Sequence, residues 1–442
     1  MISVCPKNAC KGDSAKRSAR EECQEAFAGV SFGMRERMSK VATLPGEGTS
    51  RLSQGGLAMA EEVKESTKEK SSVGRVLQIG GAVVGTLVGS GFASGQEVMQ
   101  YFTAYGIPGV WGAVLTMALF ALMCAAVTYY GWKFAKSEHF SAFRHYCGKY
   151  FGTFMDIFSV LFCFLVGIVM TSGSGAMFEQ YFGIPAVAGS TVMALIALGS
   201  AWLGLEKLTK VLGSTAPICI VFLVGVSLVT AAMNWGNLAN ADAMVAAADA
   251  SGNVLRAVDF AAPLWIVIIV TALNYVAHNI VAGVPFISKV GTQAKNGKEA
   301  LWGGLLGGIL LGLCALALNF GMLTTYDQVY MLEVPGLEFA KMLNPVMGAI
   351  YAAILIIMIY NTIVPMMISV ANLFVKDEKD PVKYRAMLIA LAVIFLIGGQ
   401  FKFSVLINII YPFVGYVGIV FMVVVLVQFL RWKCFGKKEP QE

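Results

Sequence analysis

Charge is what this chain has least of. Only 14% of its 442 residues are Asp, Glu, Lys or Arg, where a soluble domain carries about a quarter. Histidine is scarce too: His139, His145 and His278 complete the set. The nine cysteines form no Cys-x-x-Cys pair, and Cys5, Cys10 and Cys23 fit no zinc spacing. No metal site and no cofactor is expected from these shortages, and buried, inert thiols are. No HExxH, GxSxG, Walker A or kinase pattern occurs, so an enzyme reading has no support. The formal net charge of +6 says little about nucleic acid, because its meaning depends on where the cations sit relative to a membrane.

What the chain does have is apolar length. It is 57% hydrophobic with a mean hydropathy of +0.70, the composition of a multi-pass membrane protein. From Val73 onward it reads as ten apolar spans: 76–102, 108–132, 151–181, 185–204, 210–233, 260–287, 300–323, 346–374, 386–399 and 404–430. The domain reading is a first five-helix repeat over 73–233, an outer loop over 234–259, a second repeat over 260–430 and a cytoplasmic tail over 431–442. Residues 1–72 are polar and mixed in charge, with no apolar run long enough for a signal peptide. They read as a disordered cytoplasmic tail. An alternative is a translation start at Met59, preceded by Gln54-Gly55-Gly56, whose codons suit a ribosome-binding stretch.

Connections after even-numbered spans hold thirteen lysines and arginines, against Arg256, Lys341 and Lys402 after odd-numbered spans. That bias predicts both termini on the cytoplasmic side of an inner, or plasma, membrane.

The most telling stretch is Leu87–Phe102, LVGSGFASGQEVMQYF. Gly89, Gly91 and Gly95 fall inside the first span, among Ser90, Phe92, Ser94 and Glu97. Each interior glycine costs a helix about 1 kcal/mol relative to alanine, and a carboxylate at membrane depth costs more unless it faces protein or water. The pattern predicts a helix broken at Gly89–Gly95, lining a cavity. Ser94 and Glu97 have capping-box spacing, which offers a purely structural role for both. Gly81, Gly85 and Gly89 recur every four residues and predict a packing face. So do Gly304, Gly308 and Gly312.

Span six carries Asn274, Tyr275, His278 and Asn279 at its centre, with Pro285 near its end. A second break near Asn274–Asn279 is expected to face the first. Ser172 in span three, and Asn361, Thr362 and Ser369 in span eight, supply further oxygens, although such hydroxyls also bond their own helix turn. The apolar loop 325–345 is either an outer lid or surface packing. Spans one and six, three and eight, and four and nine resemble one another in length and interruption. Because five is odd, this predicts an inverted repeat.

On LVGSGFASGQEVMQYF and the nine spans that follow, residues 73–430 resemble the YkvI family of bacterial membrane proteins, relatives of the amino acid–polyamine–organocation superfamily. The resemblance implies the LeuT-like five-plus-five fold, all α-helical, with broken helices one and six. It implies substrate binding between helices one, three, six and eight, hence at Gly89, Ser90, Gly91, Phe92, Ser94, Gly95, Glu97, Ser172, Asn274, Tyr275, His278 and Asn279. A Na⁺ site between helices one and eight would draw on Val88, Asn361, Thr362 and Ser369. The expected function is secondary-active transport of a small polar solute, an amino acid or related amine, coupled to Na⁺ or H⁺. The expected partners are that solute and the lipid bilayer, with no nucleic acid. A non-transporting membrane sensor or accessory protein on the same fold, and a passive channel, are the alternatives.

Overall fold

A computed structural model of the protein describes residues 72–135, 141–203, 216–375 and 380–435. The tail and the Met59 start lie outside the described residues. Among the described residues there is no strand. The first span is three pieces, α1 (Val73–Leu87), α2 (Ser90–Ser94) and α3 (Gln96–Tyr101). Then follow α4 (Ile107–Phe134), α5 (Ala142–Phe182), α6 (Ala186–Trp202), α7 (Ala216–Met233) and the short α8 (Ala241–Ala250). The second half comprises α9 (Leu264–Gly291), α10 (Gly297–Leu323), the short α11 (Tyr326–Val329) and α12 (Pro335–Leu343), then α13 (Pro345–Phe374), α14 (Pro381–Gly398) and α15 (Phe403–Phe435).

Over the described residues each expected span coincides with a helix or, for the first, a helix series; residues 204–215, at the end of span four and the start of span five, lie outside them. Seven helices are long and apolar enough to cross a membrane unaided: α4, α5, α9, α10, α13, α14 and α15. The stretch after α7 bends by 77°, and α1 and α6 are shorter apolar helices. The chain is a multi-pass membrane protein. Two boundaries move from expectation for local reasons. Span nine begins at Pro381, with proline in the first turn and the Asp380 side chain accepting the Lys383 N–H at 3.1 Å. Span three begins before 151 because Gly148, at φ +72, joins a short preceding helical piece to the main one.

The helices pack in exchanged pairs. α1 lies on α10 and α9 on α4; α5 on α6 and α13 on α14; α4 meets α10 and α5 meets α13. Swapping the two five-helix halves reproduces each of these pairings, as an internal repeat requires. Glycines set the closest crossings. A Cβ on Gly304 or Gly308 would press into α4 backbone at 2.5 Å. On Gly303 and Gly307 it would meet Ile79 and Val83 of α1 at 2.5 and 2.7 Å. The expected stripe Gly304–Gly308–Gly312 is therefore a packing face against α4. The stripe Gly81–Gly85–Gly89 is not. A Cβ on Gly81 or Gly89 would meet no atom within 4 Å, and Gly85 borders a cavity. On α1 the packing face is Ile79, Gly80 and Val83 instead.

Two faces of the bundle are held differently. At one, the buried Glu299 carboxylate accepts the Ser72 and Lys295 amides and the Arg75 guanidinium, at 2.9, 3.0 and 3.1 Å. This ties the start of α1 to the start of α10. At the other, the segment Leu332–Val334 is gripped by side chains from three helices. The Gln180 amide on α5 exchanges both hydrogen bonds with the Val334 backbone at 2.9 Å. Gln96 donates to the Leu332 carbonyl at 3.1 Å, and Glu333 accepts the Ser404 amide and hydroxyl at 2.7 and 2.9 Å. The loop 325–345 is thus folded over the bundle, with Leu337, Phe339 and Ala340 fully buried.

Candidate functional site

The first helix breaks where glycine accumulates, one residue earlier than expected. Val88 (φ −77, ψ 96) and Gly89 (φ −92, ψ 179) are both extended, so the last carbonyls of α1 have no helical donors ahead of them. A second break follows at Gly95, left-handed at φ +86. Only glycine adopts that geometry without strain, and a Cβ there would also press on the Gly336 amide at 3.1 Å and Pro335 at 3.2 Å.

The expected capping box does not form. The Ser94 hydroxyl donates to the Gly91 carbonyl at 2.7 Å and accepts the Gln96 amide at 3.2 Å. Gly95 is the residue before α3, with no side-chain cap. Gly95 turns the chain left-handed between them, and Glu97 takes other partners. Its Oε2 accepts the Tyr275 hydroxyl at 3.4 Å. Its Oε1 lies over Gly91, where a Cβ would strike it and would sit 3.2 Å from the Tyr411 hydroxyl.

The expected break in span six is absent. α9 runs helical from Leu264 to Gly291. Its polar residues are satisfied without parting the backbone. Asn274 accepts the Tyr101 hydroxyl at 3.0 Å and donates to the Pro412 carbonyl at 2.9 Å. The Asn279 amide donates to the Tyr275 carbonyl, and also to His278 Nε2, both at 3.0 Å. His278 Nδ1 faces the Asn274 carbonyl at 3.2 Å; a carbonyl only accepts, so Nδ1 carries the proton. Pro285 removes one N–H from the ladder, and the freed Val281 carbonyl accepts the Ser159 hydroxyl at 3.4 Å.

A cavity of about 550 Å³ opens at the first break, between α1, α5, α7, α9, α13 and α15. Of the expected residues, Val88, Gly89, Ser90, Gly91, Glu97, His278, Asn279, Asn361, Thr362 and Ser369 line it. Phe92, Ser94, Gly95, Ser172, Asn274 and Tyr275 do not. Phe92 is buried in the core, Ser172 bonds the Phe401 carbonyl, and Tyr275 reaches the site only through its hydroxyl on Glu97. The sequence reading missed Phe162, Cys163, Met170, Cys219 and Tyr411 in the wall. Tyr411 had a signal, since it precedes Pro412 in the middle of an apolar span; the others look like any core residue.

The cavity extends from the break toward Phe286 and Ser369. On the opposite side Ser90 donates to the Met170 sulfur, and a separate space of about 10 Å³ lies between that contact and Val334. Pro365 leaves the Asn361 carbonyl without its usual helical donor, and the Asn361 side-chain oxygen is buried without a partner among the described residues. No three His, Cys, Asp or Glu side chains among the described residues are grouped to hold a metal.

No protein-family model matches the chain. It is similar to the membrane protein YkvI of Bacillus subtilis, 23% identical over 359 residues, covering 80% of this chain and 96% of that one. It is also similar to YyaD of the same organism, 21% identical over 359 residues, covering 79% and 96%. Among solved structures, MhsT in complex with L-phenylalanine aligns with a TM-score of 0.54 at 14% identity, over 83% of this chain and 90% of that one. A manganese transporter variant from Eremococcus coleocola aligns at 0.50 and 13% identity, over 79% and 77%. The fold is LeuT-like, all α-helical, and the expected resemblance to YkvI extends over four-fifths of the chain.

Proposed function

We propose that this chain is a secondary-active transporter of a small polar solute, an amino acid or related amine, coupled to Na⁺ or H⁺. One observation carries the reading: a buried carboxylate, Glu97, stands at a helix break and lines a cavity that runs from the break toward Phe286 and Ser369. The volume of about 550 Å³ is that of a small-molecule site. On the opposite side stand the Ser90–Met170 contact and the gripped segment 332–334. A site with access from one side is what alternating access requires, and a channel would need a continuous path. Unwound backbone and a mid-membrane carboxylate are costly and are kept where they bind ions or solutes. Val88, Asn361, Thr362 and Ser369 offer oxygens for Na⁺; Glu97 can hold a proton instead. The lack of clustered carboxylates and thiolates among the described residues disfavours a transition metal as cargo.

Both termini are assigned to the cytoplasm, so reporters fused after Lys438 and within 236–255 should read inside and outside respectively. The test of function is uptake into vesicles reconstituted with the purified protein, under imposed Na⁺ or pH gradients, with labelled amino acids and amines. Accumulation that collapses with the gradient supports the reading. Equilibration without accumulation indicates a channel, and no flux of any solute leaves the sensor reading.

A further inference from the structure

We infer that the solute held in this cavity is an organic ammonium ion with an apolar body and no carboxylate of its own, with Glu97 as its counter-ion. The inference rests on the transporter reading for its setting and goes further by naming the ligand.

Charge is the first argument. The cavity wall contains one acid, Glu97, and no lysine or arginine. The one donor to that carboxylate among the described residues is the Tyr275 hydroxyl, at a long 3.4 Å. A buried carboxylate so sparsely bonded needs a proton or a cation. A zwitterionic amino acid would bring a second carboxylate into a wall with no cationic side chain. The unwound backbone at the break is no substitute, because Glu97 Oε1 already lies over Gly91.

Hydrogen-bond polarity is the second. The Thr86 and Thr362 hydroxyls donate to their own helices, at Ala82 and Met358, and the Ser90 hydroxyl donates to Met170. The Asn279 amide hydrogens go to Tyr275 and His278, and the His278 proton goes to Asn274. The hydroxyl hydrogens of Thr86, Thr362 and Ser90 and the amide hydrogens of Asn279 are thus spent on protein acceptors, and both His278 ring nitrogens are paired. The Asn361 side-chain oxygen, buried beside the cavity, is a further acceptor with no partner among the described residues. The Asn361 amide and the Ser369 hydroxyl retain hydrogens, and both groups are neutral. An ammonium, with only donors, complements such a wall.

Shape is the third. Around the carboxylate stand aromatic rings: Tyr411 lies 5.0 Å from His278 and 5.9 Å from Phe162, centroid to centroid, and all three line the cavity. Faces of this kind attract organic cations. Val166, Met170 and Phe286 make the remaining wall apolar, so a bare inorganic ion would leave most of it unfilled.

The test is titration calorimetry on the full-length protein in nanodiscs, with matched sets that differ only in charge. One set is phenethylamine, phenylalanine and 3-phenylpropionate; the other is pentylamine, norleucine and hexanoate. Each is titrated with and without Na⁺. The expected result is that at least one amine binds about tenfold or more tightly than its amino acid in both salts, with no binding of either acid. Glu97→Gln should weaken amine binding by about tenfold or more while the protein still unfolds cooperatively. If that variant fails to fold, Asn361→Leu serves, with a several-fold loss expected. An amino acid bound as tightly as its amine in either salt overturns the inference, as does failure of both amines to bind or unchanged amine binding in a folded variant. Uptake separates the two readings. An amine that binds but is never accumulated removes transport and keeps the ligand class. An accumulated amino acid removes the ligand class and keeps transport.

Discussion

The first and sixth spans occupy equivalent places in the two halves, yet one is in three pieces and the other is a single helix of 28 residues. Both carry polar residues at mid-depth. The difference is in what those residues cost the backbone. In α9 the polar side chains bond to carbonyls one turn back or to the neighbouring α15, so the ladder survives. The first span has Gly89 and Gly95 where the chain must leave the helix, and it has Glu97, a charge that one hydrogen bond cannot settle. Polarity alone does not break a membrane helix. Glycine at positions that need it, together with an ionisable group that has no charged partner in the cavity wall, does.

The largest effect is expected at Glu97. Glu97→Gln keeps the size and the Tyr275 contact and removes the charge. Accumulation in reconstituted vesicles should fall about a hundredfold, the scale of removing a buried ionic partner. Wild-type accumulation by the variant would reduce Glu97 to a packing residue and erase its contrast with the neutral polar groups of α9.

Next come the glycines. Gly95→Ala must hold a Cβ at φ +86 and drive it against the Gly336 amide. A loss of about 3 kcal/mol is expected from strain and overpacking together, read as a lowered midpoint in denaturant or heat. Gly283→Ala in α9 meets the flexible ends of Leu87 and Ile287 and gains helix propensity, so its change should stay below about 1 kcal/mol. Equal losses at the two sites would mean that the break is not what makes Gly95 special.

Much of this was legible in the sequence. The spans were, because a run of about twenty apolar residues is long enough to cross a bilayer and too apolar to face water. The first break was, because Gly89, Gly91 and Gly95 crowd a span that also holds Glu97. The α9 break was misread because periodicity shows that Asn274, His278 and Asn279 are polar but not that their bonds close within α9 and onto Pro412. The capping role of Ser94 failed for a similar reason: S-x-x-E spacing is satisfied in one dimension, and the left-handed Gly95 decides the third. The gripped segment was only half visible. Its apolar residues suggested a lid, but Gln180 and Ser404, which hold it from either side, lie far apart in the chain.

That grip offers a smaller effect. Gln180→Ala removes both hydrogen bonds to Val334, each worth about 1 kcal/mol. Amide exchange at Val334 should quicken by about tenfold, while exchange in the middle of α9 should not change. An unaltered Val334 rate would show that burial of Leu337 and Phe339 alone holds the segment.

The smallest effect concerns how α9 stays whole. Pro285 leaves the Val281 carbonyl without its ladder donor, and the Ser159 hydroxyl supplies one from α5. Pro285→Ala restores an N–H at that position, so the helix no longer needs Ser159. Ser159→Ala should therefore cost stability in the wild-type background and almost nothing beside Pro285→Ala. The coupling between the two changes should be about 0.6 kcal/mol, the usual worth of an interhelical hydrogen bond in a membrane. A double-mutant cycle on thermal unfolding measures it. Zero coupling would mean that the carbonyl is satisfied by its own helix, and that α9 tolerates Pro285 by local adjustment and not by help from α5. In either case α9 keeps its ladder with neutral groups, which the first span, with Glu97 at its break, does not.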